Sequence, residues 1–293
     1  MKAAIIVDSV AYLPQELVSL DNVFEIKLSV NFCDGTQMPD TSEPEALKDF
    51  YDRLEKESQL PTTSQPVIGE YYDLLEAIIA KGYDTVYSIH LSSGISGTFQ
   101  SAVMAAKEYE DKLKVYCIDS LSASVVQENI VRQCLVLLEA GEPAEQIAQK
   151  LTWLADQSTV YLVVENLNNL VKGGRLSATA AMLGSILQIR PLLYFDKEGK
   201  IVLFEKIRTQ KKVVKRWHEL VEQGLAQFPQ GIEIGLAHGD ALSEIQEIGE
   251  GIQAAYPQCH CFISGLGPVV GTHTGRGAKG LAIIPRLSNY PNK

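Results

Sequence analysis

The alternation of short apolar strands with helical segments along the first half of the chain most constrains its fold. Residues 3–7, 23–30, 85–91 and 114–118 are apolar runs of strand length, and most of them end in serine or aspartate. Segments with apolar residues at helical spacing lie between or after them, at 42–57, 65–80, 98–109, 123–139 and 144–155. Strands alternating with helices of this length predict βαβ units and a parallel sheet.

The second half departs from this alternation. Residues 192–195 and 200–207 flank a turn at 196–199 and predict a β-hairpin. Further strands are predicted at 159–164, 232–237, 259–263 and 281–284, and helices at 213–227 and 241–256. A hairpin combined with crossovers implies a mixed sheet covered on one face. We therefore predict an α/β protein with an N-terminal parallel-sheet α/β/α domain (1–158) and a C-terminal two-layer mixed-sheet α/β domain (159–293).

Charge, hydropathy and cysteine usage exclude several classes of function. The net charge of −10 argues against a nucleic-acid binder, which would carry a basic surface. No apolar run approaches the roughly 20 residues of a membrane helix, and the N-terminus lacks a signal-peptide pattern. The five cysteines lack disulfide-framework spacing, so we expect reduced thiols in a cytoplasmic protein. Cys259-His260-Cys261 has no second ligand pair at zinc spacing, so no metal site is expected.

The segment HLSSGISGTFQSA, residues 90–102, is rich in hydroxyl groups where a strand gives way to a helix. Ser92, Ser93 and Ser96 lie in the predicted turn, and the helix is expected to begin near Thr98. A helix start offers unpaired N–H groups and a partial positive charge, which suit a carboxylate or phosphate. The alternative is an ordinary helix cap made by Ser96. The segment contains neither a phosphate-binding Walker loop nor a nucleophile elbow.

Three further segments carry candidate functional residues. TTSQP at 62–66 leaves Thr62 and Thr63 as spare hydroxyls, although a capped loop explains it equally well. Arg175 follows a Gly-Gly turn and precedes the almost uncharged segment 178–187, which is either tightly packed or lines an apolar cavity. His273 lies in the glycine-rich segment 265–285, where it is a candidate for chemistry or an ordinary polar loop residue.

The segments TTSQP, LSSGISGTFQSA, KGGRLSATAAMLGSILQIRPLL and GPVVGTHTGRGAKG, in this order and spacing, resemble the DegV family. DegV proteins are bacterial fatty-acid-binding subunits of fatty acid kinase, and the resemblance covers essentially the whole chain. It implies that one acyl chain lies in a tunnel with its carboxylate held by Thr63 and Ser93. Ser96, Thr62 and His273 are then expected close to that carboxylate.

The resemblance also assigns a tunnel wall and a partner surface. Ala178, Met182 and Ile186 are expected to line the acyl tunnel, and Arg175 to engage the kinase subunit. Family members often carry proline where this chain has Arg276, which together with Lys279 adds positive charge near the glycine-rich segment.

The expected function is therefore to bind a long-chain fatty acid and present its carboxylate to a separate kinase for phosphorylation to an acyl phosphate. The chain itself is expected not to be an enzyme and to need no cofactor beyond the fatty acid as ligand. The expected partners are the fatty acid and an ATP-dependent fatty acid kinase subunit, with transient contact at a membrane surface allowed and no nucleic acid. The alternative is an acceptor domain, like that of dihydroxyacetone kinases, that binds a small polar substrate through His273.

Overall fold

The computed structural model describes residues 1–176 and 190–291. The strands are β1 (Ala3–Asp8), β2 (Val23–Ile26), β3 (Ser29–Asn31), β4 (Gln37–Pro39), β5 (Thr62–Ser64), β6 (Thr85–His90), β7 (Lys114–Asp119), β8 (Thr159–Val163), β9 (Arg190–Phe195), β10 (Ile201–Ile207), β11 (Ile232–His238), β12 (His260–Gly265) and β13 (Lys279–Pro285). The helices are α1 (Gln15–Val18), α2 (Pro44–Leu54), α3 (Ile68–Ala80), α4 (Thr98–Glu108), α5 (Val125–Glu139), α6 (Ala144–Gln157), α7 (Asn168–Lys172), α8 (Gln210–Gln227), α9 (Leu242–Ala255) and α10 (Pro268–Thr274).

The first sheet is parallel throughout, in the order β2-β1-β6-β7, which confirms the predicted class of fold. Successive residues of β1 point to opposite faces, as the pleat of a strand requires. Ala4 and Ile6 join the apolar cluster under α3 and α4, whereas Ile5 and Val7 join the cluster that contains α5 and α6. Helices therefore cover both faces of this sheet.

The second sheet is mixed, in the order β10-β9-β8-β13-β11-β12, as predicted. Its strands pair antiparallel except for β11 and β12, which are parallel. One face packs against α8 and α9, where Trp217 and Ile245 are fully buried. On the other face, Val160 and Ala282 share one continuous apolar cluster with α5 and α6 of the first half. The division into 1–158 and 159–293 stays a prediction.

The single strand expected at residues 23–30 is a wrong prediction. The chain turns after β2, and β3 belongs to a separate small sheet of order β4-β3-β5. Residues 62–64, expected to form a capped turn, are the edge strand β5 of this sheet, with Thr63 opposite Val30. The turn is held by the hydroxyl of Ser9, which accepts a hydrogen bond from the N–H of Leu28 at 3.1 Å.

The described residues bear on three further expectations. None of the helices in residues 1–176 and 190–291 is long and apolar enough to cross a membrane. Within the same ranges, no group of three His, Cys, Asp or Glu side chains is placed to hold a metal ion. All five cysteines are free thiols.

Candidate functional site

A cavity of about 490 Å³ is enclosed by residues from both halves of the chain. This volume falls within the range of about 300–1,000 Å³ that is usual for small-ligand sites. Most of its lining is apolar: Leu28, Val67, Leu91, Ile95, Ala123, Val125, Val160, Leu162, Leu170, Phe195, Ile201, Ala237, Leu266, Val269, Val270 and Ala278. Such a wall favours an apolar ligand or the apolar part of an amphipathic one.

Polar side chains from distant parts of the chain also line this cavity. Thr63 comes from β5, Ser96 from the turn before α4, Arg175 from the segment after α7, and His273 from α10. Thr63 Oγ1 and His273 Nε2 are hydrogen bonded at 2.9 Å, although 210 residues separate them in the chain. We call Thr63, Ser96, Arg175 and His273 the polar cluster.

His273 is held as a neutral imidazole. It is 9% exposed, and burial, reinforced by the positive charge of Arg175, lowers its pKa to about 4. Its Nδ1 has no hydrogen-bond partner among the described residues. Gly173 lies so close that a Cβ added there would stand 2.2 Å from this nitrogen. Segment 268–274, expected as a glycine-rich loop, is instead the helix α10, so His273 sits on a helix rather than in a loop.

Asp40 holds the other end of the helix that carries His273. Its carboxylate accepts hydrogen bonds from the N–H of Val269 at 3.0 Å and from the Ser9 hydroxyl at 3.0 Å. The side chain is fully buried, and this burial raises its pKa to about 7. Sequence reasoning missed Asp40, because it follows a three-residue strand and stands in no recognisable motif.

The two serines assigned to the ligand end have different surroundings. Ser96 lines the cavity, and its Oγ lies 2.8 Å from Thr98 Oγ1. Ser93 is not among the described residues that line the cavity, and its N–H donates to the Asp119 carboxylate at 3.2 Å. Helix α4 begins after Gly97, and the Ser96 hydroxyl accepts a hydrogen bond from the N–H of Thr98, the first residue of this helix, at 3.3 Å, as an ordinary helix cap would. The structure therefore places Ser96, and not Ser93, in the polar cluster.

A crevice of about 400 Å³ shares three lining residues with the cavity: Thr63, Arg175 and His273. Its other lining residues are Ser58, Gln59, Leu60, Pro61, Thr62, Lys172 and Gly173. No carboxylate is found among these described residues, in a chain whose net charge is −10. The polar cluster thus stands where the cavity meets the crevice, and the cations there make the crevice suitable for an anion.

Arg175 is half-buried. Its guanidinium donates to the backbone carbonyls of Ile95 at 3.1 Å and Gly173 at 2.6 Å. Burial lowers its pKa below the usual value for arginine. These contacts tie the segment after α7 to the turn that contains Ser96.

Other predicted residues contribute differently. Ala178, Met182 and Ile186 lie outside the described residues. The charge of Arg276 is met by Asp52 and Asp240, and that of Lys279 by Glu244 at 2.9 Å. These ion pairs neutralise the positive charge that the sequence placed near the glycine-rich segment.

A serine, a histidine and an aspartate also meet inside the first sheet. Ser88 Oγ lies 2.7 Å from His90 Nε2, and His90 Nδ1 lies 3.1 Å from Asp8 Oδ2. None of the three is more than 2% exposed. Asp8 also accepts the N–H of Leu91 at 2.9 Å. This network fixes the start of the turn that leads to Ser96, and its burial keeps substrates away from it.

Fold and site together define a class: α/β proteins in which a largely apolar cavity ends at a polar cluster. A family model described as uncharacterised protein, DegV family, matches residues 2–286. A DegV domain-containing protein from Listeria monocytogenes is 39% identical over 280 residues, covering 96% of this chain and 97% of that protein. The chain therefore belongs to the DegV family.

Solved structures give the same result. A fatty acid binding DegV family protein from Streptococcus agalactiae matches with a TM-score of 0.89 and 33% identity, covering 98% of this chain and 99% of that one. DegV from Bacillus subtilis, described as a fatty acid binding protein, matches with a TM-score of 0.87 and 37% identity, covering 98% and 100%. The resemblance inferred from the four segments is confirmed.

Proposed function

We propose that this chain binds a long-chain fatty acid in the cavity, with the carboxylate at the polar cluster. One observation carries the proposal. A largely apolar cavity meets, at Thr63, Arg175 and His273, a crevice whose described lining residues include no aspartate or glutamate. Burial of an alkyl chain contributes about 0.8 kcal/mol per CH₂. A sixteen-carbon acid would gain on the order of 10 kcal/mol before ordering costs, so the tail dominates affinity.

The polar cluster would orient the carboxylate through a relay of hydrogen bonds. A neutral His273 that donates from Nε2 to Thr63 Oγ1 leaves the threonine hydroxyl free to donate to the ligand. Ser96 offers a second hydroxyl, and the N-terminus of α4 offers a partial positive charge. Arg175 supplies the full charge that the neutral imidazole cannot.

We further propose that the bound acid is presented to a separate ATP-dependent kinase, which converts the carboxylate to an acyl phosphate. The crevice gives the carboxylate an exit, and Lys172 and Arg175 in its wall suit the anionic groups of that reaction. The chain would be a carrier without catalysis of its own, acting in the cytoplasm where ATP is available. The apolar lining and the engaged Nε2 of His273 speak against a small polar ketone as ligand.

Mass spectrometry of the purified chain under native conditions tests the binding step. A co-purifying fatty acid is expected, and delipidated protein should rebind palmitate with one-to-one stoichiometry. Incubation with ATP, Mg²⁺ and fatty acid should then give acyl phosphate only after a cognate kinase is added. Failure to bind any fatty acid would overturn the proposal, and turnover by the isolated chain would replace the carrier with an enzyme.

A further inference from the structure

Gly280 is a buried glycine in the interior of β13, and it lines the cavity. The strand lies inside the mixed sheet, between β8 and β11. Glycine weakens the interior of a strand, because it loses more backbone freedom on folding than other residues and offers no side chain to pack. Its presence in a central strand therefore calls for a reason.

The surrounding protein does not supply this reason. Gly280 is not among the glycines with positive φ, so its backbone conformation suits other residues. An added Cβ would approach no protein atom more closely than the Cβ of Ala237 at 3.6 Å, an ordinary van der Waals contact. Gly235 in the neighbouring β11 differs, because a Cβ there would stand 2.8 Å from the Cβ of Val125 in α5. Close packing thus explains Gly235 but not Gly280.

The face on which Gly280 lacks a side chain is the face of the cavity. Side chains alternate along β13, and its register with β11 is unbroken. Leu281 and Ile283 belong to the apolar cluster that contains α8 and α9, whereas Ala282 belongs to the cluster shared with the first half of the chain. A side chain at position 280 would point the same way as that of Ala282, toward the face on which Leu162 lines the cavity. The space that it would fill therefore belongs to the cavity.

The part of a ligand that meets Gly280 is apolar. Strand β13 is paired on both sides, with Ala237 and Leu162 directly opposite Gly280, so the backbone N–H and carbonyl groups lie in the plane of the sheet. Gly280 therefore turns no polar group toward the cavity, and these two neighbours in the wall are apolar. A methylene segment suits this surface, and the absent side chain lets it lie against the backbone.

We propose that Gly280 is a specificity-determining residue, at which the acyl chain passes directly over the backbone of the mixed sheet. The inference rests on the proposed function and adds what allows the cavity to accept long chains. A side chain at position 280 would occupy the volume of the methylene groups that reach it. Acids too short to reach this position would not meet that side chain, so the cost of filling it depends on chain length.

Calorimetric titration of delipidated protein with straight-chain saturated acids of about 8 to 18 carbons tests this inference. In the unmodified chain, each added CH₂ should tighten binding about threefold to fourfold until the cavity is filled. In Gly280→Val, the shortest acids should bind within about twofold of the unmodified chain, whereas the longest should bind at least about tenfold more weakly. The length at which the two series part identifies the carbon that meets residue 280.

Two further variants control for folding and for added bulk. Gly280→Ala adds a Cβ that makes ordinary contacts, so the ligand-free variant should melt no lower than the unmodified chain and should show the same length dependence in smaller measure. Gly265→Val is the matched control. Gly265 also lies in a strand, a Cβ there would come no closer than 3.5 Å to a protein atom, and it does not line the cavity. This variant should reproduce the unmodified series.

The outcomes separate the two proposals. The inference is overturned if Gly280→Val reproduces the unmodified series at every length, because no part of the ligand would then approach residue 280. It is also overturned if every acid, the shortest included, loses affinity equally, which would assign residue 280 to the carboxylate end. If Gly280→Val does not fold, the series for Gly280→Ala decides by the same criteria. Failure of the unmodified chain to bind any acid would overturn the proposed function itself.

Discussion

Single residues decide how the ligand would be oriented. Thr63 and Ser96 reach the cavity from different elements, and Thr63 is also bonded to His273. Sequence reasoning found the hydroxyl-rich turn at 92–98 and, from the resemblance, assigned the carboxylate to Ser93 with Ser96 close by; that assignment stays a prediction, and of the two serines Ser96 lines the cavity. The course of the turn decides which serine faces inward, and this course depends on the carboxylate of Asp119, 26 residues away. Nothing local in the sequence encodes that contact.

The first prediction compares the two serines directly. Thr63→Val and Ser96→Ala should each weaken fatty acid binding by about 10- to 150-fold, because each removes a hydrogen bond to a charged group. Ser93→Ala is the matched control and should bind within about twofold of the unmodified chain, since this side chain does not line the cavity. Displacement of a fluorescent fatty acid measures all three. If only Ser93→Ala lost affinity, the carboxylate would instead be bound by Ser93, as the resemblance implies.

The second prediction concerns Arg175. Arg175→Ala should slow acyl phosphate formation with a kinase subunit by at least about tenfold, because a fork of donors to an anion is lost. Removing its charge should also raise the pKa of His273, since the guanidinium contributes to lowering it. Turnover and imidazole titration by NMR provide two independent readouts. Lys211→Ala removes an exposed charge elsewhere and serves as the control; turnover of Arg175→Ala within twofold of that control would refute a role for Arg175.

Among the secondary structure elements, those with a strong local pattern could be predicted and those fixed by distant partners could not. The strands of the parallel sheet are apolar runs with polar ends, so β1, β6 and β7 were found within two residues. The strands β3, β4 and β5 are three residues long and too short to show an alternation. Helix α10 has only seven residues, with glycines on either side of it, and the buried Asp40 accepts a hydrogen bond from the N–H of Val269 at its N-terminus.

The third prediction tests the contact between α7 and α10. Gly173 has φ −73°, so alanine suits its backbone, but the new Cβ would stand 2.2 Å from His273 Nδ1. Gly173→Ala should displace the imidazole from Thr63 and weaken fatty acid binding by about tenfold. Gly69→Ala in α3, where an added Cβ meets nothing within 4 Å, is the control and should bind normally.

A double variant separates this steric effect from a general loss of packing. With the ring removed by His273→Ala, the clash of the added methyl group with the imidazole is gone, and only its approach to the backbone carbonyl of Asn169 at 2.9 Å remains. Adding Gly173→Ala to His273→Ala should therefore weaken binding less than Gly173→Ala weakens it in the unmodified chain, a non-additivity expected of residues in direct contact. Additive losses in the double variant would contradict the proposed contact.

At the scale of the whole molecule, two buried titratable groups at opposite ends of α10 act on stability with opposite signs. Asp40 has its pKa raised from 3.8 to about 7 by burial, so between these values the folded chain holds a proton that the unfolded chain has lost. The contribution of Asp40 to the free energy of unfolding therefore decreases as pH rises. His273 has its pKa lowered from 6.5 to about 4 by burial and by Arg175, so the unfolded chain binds the extra proton. The contribution of His273 to the free energy of unfolding therefore increases as pH rises.

The fourth prediction follows from this opposition. Each group changes the free energy of unfolding by up to about 1.4 kcal/mol per pH unit, and from about pH 4 to 6.5 the two slopes cancel. Asp40→Asn keeps an acceptor for Val269, so relative to the unmodified chain its stability should rise with pH across that window. His273→Asn should show the reverse, and the double variant should run parallel to the unmodified chain. Urea unfolding of delipidated protein at several pH values measures these slopes, and four parallel curves would show that neither group titrates as its burial requires.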